Sequence, residues 1–208
     1  MQRFDIPELA PLHFFRLNID VKWGKEIKKK GYLLPNMSSL LAEETFADVA
    51  MVWNENGVVA EVDVRKQFEE AVYPKYEEGD AIELFFDTRD LKEAGFPTRF
   101  CHHFLILPQE VQGVHALELT RFRNEDSHPL CAPEMIKVHT KIDSRSYKTV
   151  IELPAEILHG YDPIAFDRLG FTYCIHRPKG DSQHFAVSSN YVPIAQHPSL
   201  WATCQLIK

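Results

Sequence analysis

Apolar and polar residues alternate along this chain in short runs, the two-residue period of half-buried β-strands. The clearest run is Ile82-Glu83-Leu84-Phe85-Phe86-Asp87, which sets Ile82, Leu84 and Phe86 on one face and Glu83, Phe85 and Asp87 on the other. Val58, Ala60, Val62 and Val64 alternate in the same way with Val59, Glu61, Asp63 and Arg65. The pattern predicts strands at Phe14–Val21, Ala47–Asn54, Val58–Val64, Ile82–Asp87, Phe100–Leu107, His115–Phe122, Met135–Ile142, Tyr147–Leu153, Leu169–His176, Phe185–Ser188 and Trp201–Ile207. Asn56-Gly57 marks a two-residue hairpin, and Asp143-Ser144-Arg145 a three-residue one. Helical periodicity is scarce: Pro154 to Leu158, closed by Gly160, suits one short turn, and Ser38 to Glu44 another.

Strands at this spacing, joined by hairpins, predict an all-β fold: an antiparallel, jelly-roll-like β-sandwich with one or two short helices. The thirteen prolines fall mostly between the runs, where no ladder hydrogen bond is lost. No repeat, linker or composition shift divides the chain. The expectation is a single domain over residues 1–208, with 1–46 an N-terminal strand and loop extension and 47–208 the core.

Composition narrows the partners. With 208 residues, 45% hydrophobic and 25% charged, the chain is of ordinary globular make-up. The net charge of −7 argues against nucleic acid as a partner. The basic run Lys25 to Lys30 reads as a solvated face. No stretch approaches the ~20 apolar residues of a spanning helix, so no membrane is expected. Met1 to Pro7 has no apolar leader core; the location expected is cytoplasmic as written, or unknown if an export signal was removed. The four cysteines form no C-x-x-C pair, and Cys101, Cys174 and Cys204 lie in strand-like runs, where a buried thiol is ordinary.

The order of elements resembles the family 9 carbohydrate-binding modules and the related DOMON-type sandwiches. Trp53-Asn54 leads through Gly57 to Val58, in the manner of their W-x-x-x-G-V hairpin. Asp80-Ala81-Ile82-Glu83-Leu84-Phe85-Phe86-Asp87 resembles their D-x-[IV]-E-[LF]-x-x-D strand. Glu152-Leu153-Pro154, Leu169-Gly170-Phe171 and the terminal Trp201 strand follow in order, so the resemblance spans roughly Ala47 to the C-terminus. It implies a non-catalytic binding module, carbohydrate first, and a structural Ca²⁺ as the one candidate cofactor. The pair of loop tryptophans that sandwiches a sugar in such modules is not visible, nor is the Met and His pattern of the haem-binding relatives. A protein–protein or structural domain without a small ligand is the alternative, with a protein as the candidate partner. A hydrolase comes third, with Ser188-Ser189 and Ser38-Ser39 as hydroxyls but no G-x-S-x-G elbow.

The candidate ligand site lies at the rim where the Ile82–Asp87 run exits: Asp87, Arg89, Asp90, Arg99 and His102, with Trp201 as the stacking platform. Two guanidinium forks and two carboxylates offer the donors and acceptors that vicinal hydroxyls need. The same residues could instead form a closed salt-bridge cluster. Asp80, Glu83 and Asp87, with Asp90, are the candidate Ca²⁺ oxygens. Cys101-His102-His103 with His115 has soft-metal residue types, but strand alternation turns His102 away from its neighbours. Trp53 is expected in the core and Trp23 at the surface.

Overall fold

The computed structural model describes residues 16–28, 30–123 and 125–208. Phe14 and Phe15, the start of the first predicted strand, and Met1 to Pro7 lie outside the described residues. Two sheets face each other. The strands are β1 (Asn18–Lys22), β2 (Ala47–Asn54), β3 (Gly57–Val64), β4 (Ala81–Asp87), β5 (Cys101–Val111), β6 (Val114–Glu118), β7 (Lys137–Ile142), β8 (Tyr147–Pro154), β9 (Arg168–His176), β10 (Gln183–His184) and β11 (Ala202–Ile207). The seven-stranded sheet runs β1-β11-β9-β4-β5-β6 with β10 beside β9, and the four-stranded sheet runs β2-β3-β8-β7. Every pairing is antiparallel except β1 with β11, which is parallel. One α-helical turn, α1, covers Ser38–Leu41, and the predicted turn after Pro154 is a 3-10 turn at Ala155–Ile157. The all-β sandwich read from the alternation is the observed fold.

The inner faces build the core. Ile82, Leu84 and Phe86 of β4 meet Phe104 and Ile106 of β5, Phe171 of β9, and Val58, Ala60 and Val62 of β3 in one apolar cluster. The Phe86 and Phe171 rings lie 4.9 Å apart, and Tyr173 stacks on Phe185 at 5.4 Å. Polar staples fix the two sheets against each other. The Gln183 side chain accepts the Phe46 and Ala47 N–H groups at 2.7 and 2.8 Å and donates to the Ala47 carbonyl at 2.9 Å. The buried Trp53 indole donates to the Val21 carbonyl at 2.9 Å. These bonds satisfy groups that burial would otherwise leave unpaired.

Three local details differ from the sequence expectation. The β2–β3 turn holds Glu55 and Asn56, while Gly57 already pairs with Asn54. Gly57 has φ +138°, and a Cβ there would sit 2.1 Å from the Leu153 carbonyl oxygen, so the glycine serves the strand start. Asn54 shapes the turn: its amide donates to the Gly24 carbonyl at 2.9 Å and its oxygen accepts the Asn56 N–H at 2.8 Å. Asn54→Ala is expected to lower stability by about 1–3 kcal/mol, read as a lower urea midpoint at unchanged slope. Phe185–Ser188 is not a strand; pairing stops at Gln183–His184, and the chain then turns over the outer face of the sheet. β4, expected to be half-buried, is buried on both faces, because the segment from Val187 to Trp201 covers its outer side.

Candidate functional site

The predicted rim residues are fastened into the fold. Asp87, at the end of β4, accepts the Arg89 N–H at 3.0 Å and the Leu91 N–H at 2.7 Å. The Arg89 guanidinium donates to the Thr88 and Gly160 carbonyls and lies 3.6 Å over the Phe166 ring. Asp90, in the left-handed region at φ 51°, accepts the Thr203 hydroxyl at 2.7 Å and pairs with Lys92 at 2.6 Å. These three residues are brought together at the strand exit, but their polar groups are taken up by the turn itself, the Gly160 carbonyl, Thr203 and Lys92. Arg99 pairs with Asp126 farther along, and His102 faces the sandwich interior beside Phe104. Trp201 is 3% exposed, with its indole N–H on the Ile194 carbonyl at 3.0 Å and its ring 5.7 Å from Phe85. A ring so enclosed has no free face for a sugar, and its position seals the outer side of the sheet. Trp23 is exposed, 37%, as expected.

The Ca²⁺ candidates do not converge. Asp80 and Asp87 sit at opposite ends of β4, roughly 20 Å apart at ~3.3 Å per residue. Asp80 accepts the Glu69 and Glu70 N–H groups and the Tyr147 hydroxyl, which anchors the loop before β4. Burial raises its carboxyl pKa, with these hydrogen bonds acting in the opposite sense.

Glu83 is placed differently. It lies on the outer face at the middle of β4, where β5 and β9 flank it with Leu105 and Cys174. One diagonal step away, His103 donates to one Glu83 oxygen at 2.5 Å and His176 to the other at 2.7 Å; the Tyr76 hydroxyl adds a third bond at 3.1 Å. Burial alone would raise the Glu83 pKa, but the bonds and charges of the two histidines outweigh it and hold the carboxyl well below its usual range. Burial, then the neighbouring Glu83 charge, pushes the Tyr76 phenol up, so it stays a donor. Behind this floor, His184 donates to Glu43 at 2.7 Å, and its other nitrogen faces the Ser189 hydroxyl at 2.9 Å and the Cys174 thiol at 3.2 Å. Burial keeps that thiol protonated.

Above the floor, two adjoining depressions of ≈ 370 and ≈ 480 Å³ share Tyr76, His103 and Gln196. Their rim carries Tyr73, Phe122, Arg121 and Arg123, the last donating to Gln196 at 2.5 Å. Tyr73 and Tyr76 pack on Ala81, Leu105 and Leu107, which holds their loop against the sheet. A larger depression of ≈ 860 Å³ opens beside Asp90, Lys92, Arg168 and Asp20, with no aromatic residue among the described residues of its lining. A cleft of several hundred Å³ with ring faces, forked donors and a buried carboxylate can take a small polyhydroxylated ligand.

Likeness to solved structures shows the fold. A family 9 carbohydrate-binding module from Caldicellulosiruptor kristjanssonii, solved with cellotriose, superposes with a TM-score of 0.65 at 15% identity, covering 91% of this chain and 93% of that one. The same family's structure from that organism with glucose gives 0.66 at 14% identity, covering 91% and 95%. The chain has the family 9 carbohydrate-binding module fold. A candidate carbohydrate-binding protein from Bacteroides uniformis matches more loosely, with a TM-score of 0.52 at 10% identity over 91% and 85% of the two chains. No protein-family model matches the sequence, and no match among curated proteins reaches significance.

Within this module-like fold, that Glu83 lies opposite Ile82, Leu84 and Phe86, and His103 opposite His102, was readable from the alternation of β4 and β5. The convergence of Glu83 with His103 and His176 was not, because it depends on which strands flank β4. The cleft walls, Tyr73 to Tyr76 and Arg121 to Gln196, come from segments far apart in sequence with no periodic signal.

Proposed function

We propose that this chain is a non-catalytic carbohydrate-binding module whose glycan lies in the cleft over Glu83, His103 and His176. The observation that carries this reading is the ionised, buried Glu83 beneath an aromatic and arginine rim. Tyr73 and Phe122 offer apolar ring faces for the C–H surface of a sugar, and Arg121 and Arg123 offer forked donors to its hydroxyls. The fold it shares with modules solved with cellotriose and glucose supports the same reading.

Calorimetry with cellotriose, followed by a glycan array, tests it. Tyr73→Ala and Arg121→Ala are each expected to weaken binding about tenfold or more, the equivalent of ~1.4 kcal/mol. Arg89→Ala is expected to leave binding unchanged while lowering the melting temperature. The opposite pattern, with binding lost in Arg89→Ala and kept in both cleft variants, would move the site to the β4 exit.

One observation favours hydrolysis as a second reading. Ser189, His184 and Glu43 stand in the order nucleophile, base and orienting carboxylate, at 2.9 and 2.7 Å. Against it, the N–H groups of Ser189, Asn190, Tyr191 and Val192 are all engaged, by the His184 ring, the Ser188 hydroxyl and the Ser188 carbonyl. No backbone pair is left there to hold an oxyanion, the largest contribution in acyl transfer. Turnover of p-nitrophenyl acetate that vanishes in Ser189→Ala would establish the hydrolase instead.

A further inference from the structure

We propose that His102, Glu118 and His128 form a zinc-type transition-metal site beneath the rim of the seven-stranded sheet. This site shares no residue with the glycan cleft. His102 comes from the inner face of β5, Glu118 ends β6, and His128 folds back from the segment that follows. The side chains are 0–3% exposed. Nδ1 of His102 and Nε2 of His128 both lie 2.9 Å from the same Glu118 oxygen, Oε1. The Thr120 hydroxyl donates to that oxygen as well, at 2.8 Å. Oε2 takes the Cys131 N–H at 2.9 Å, and the ligand atoms of His102, Glu118 and His128 all lie within 4.8 Å of one another.

Three donors crowd one oxygen that has two lone pairs in its plane. A single dication in place of the two imidazole protons removes the crowding, leaving Oε1 one metal bond and one hydroxyl. The ring partners suit this. His128 Nδ1 is 2.7 Å from the Arg99 carbonyl, so with a metal bound Nδ1 keeps its proton and Nε2 gives its electron pair to the site. A metal-bound histidine characteristically gives its other N–H to a carbonyl in this way. His102 Nε2 is buried with no hydrogen-bond partner. With Nδ1 on a metal, Nε2 becomes the N–H of this ring. Two imidazoles and a carboxylate are the protein ligand types of a zinc site that keeps its fourth position open. Glu83, Cys174 and His176 also lie close enough to hold an ion. There, however, the donors are spread over both Glu83 oxygens and nothing needs relief.

The test uses the full chain, treated with chelator, desalted and given one equivalent of zinc. Elemental analysis after a second desalting is expected to find about one zinc per chain, with a raised melting temperature. His128→Gln should bind zinc about 100-fold more weakly and show no thermal shift, and Glu118→Gln likewise. Wild-type protein that keeps no zinc, or His128→Gln that binds it as tightly as wild type, overturns the proposal. Zinc kept in both variants but lost in His176→Gln would assign the ion to the cleft floor and overturn it too. Should His128→Gln fail to fold, Co²⁺ in the wild-type protein decides. Intense visible bands of a tetrahedral ion are expected; the weak bands of a six-coordinate ion refute the site.

Discussion

Glu83→Ala is expected to remove both glycan binding and about 3–5 kcal/mol of stability. The carboxylate takes hydrogen bonds from His103, His176 and Tyr76 at 2.5, 2.7 and 3.1 Å. Removing it strands three donors against a buried face, each losing a partner that solvent does not replace. His103 also stacks on Phe85 at 4.3 Å, so its displacement reaches the apolar layer under Trp201. For a chain of this size the melting temperature should fall by roughly 6–20 °C. Glu83→Gln keeps one carbonyl acceptor but turns an amide N–H₂ toward a histidine donor, and should recover only part of the loss. Calorimetric melting gives the stability, and titration with cellotriose well below the lowered melting point gives the binding. A melting temperature within 2 °C of wild type would show that the floor is not held through Glu83.

The second large effect is acid sensitivity of the metal-free protein. The folded pKa values of Glu83 and Glu118 are held well below the ordinary 4.5; burial works against this, and the histidine bonds overcome it. A carboxyl with a lowered folded pKa stabilises the fold fully above its unfolded value, and that stability is lost as pH falls from about 4.5 towards the folded pKa. Burial lowers the His102 pKa from 6.5, partly offset by its bond to Glu118. The unfolded chain then takes up that proton first, so this part of the stability declines as pH falls below about 6.5. Asp80 and Asp87 act the other way: burial raises their folded pKa values above 3.8, so the fold takes up their protons first and gains as pH falls. Glu83 and Glu118 carry the larger displacements and decide the sign. The melting temperature should be level from pH 7 to 8, decline gently below 6.5 and drop by ~5–10 °C between 4.5 and 3, the equivalent of about 2.5 kcal/mol. Glu118→Gln should flatten the lower part of the curve. A melting temperature that holds or rises from pH 6 to pH 3.5 would contradict the assignment of charge to these two carboxylates.

Local chemistry accounts for much of what was legible in advance. The alternation of Val58 to Val64 and of Ile82 to Asp87 assigned strands and inner faces correctly, because the side-chain period of a strand does not depend on its neighbours. The W-x-x-x-G-V hairpin, the Glu83 strand and the terminal Trp strand carried the resemblance to the family 9 modules, and the sandwich has that fold. The same local signals misled where a residue's role depends on what lies opposite. Arg89 reads as a free guanidinium in a loop, yet the Gly160 carbonyl and the Phe166 ring, some seventy residues on, occupy it. Trp201 reads as a ring at a strand entrance, and is enclosed by Phe85 and Ile194. His102 could join the rim only if its face of β5 were the open one, and it faces the interior beside Phe104.

By itself, then, the sequence determined the strand pattern, the sheet faces and the class of fold, all properties set within a few residues of each other. Only the tertiary structure decided which polar groups converge. Glu83 meets His103 and His176 because β5 and β9 flank β4. His102 meets Glu118 and His128 because β6 and the chain beyond it return beneath β5. Such meetings are set by strand order and by the path of irregular segments, and a buried carboxylate acquires its charge and its role from the donors that those paths bring to it.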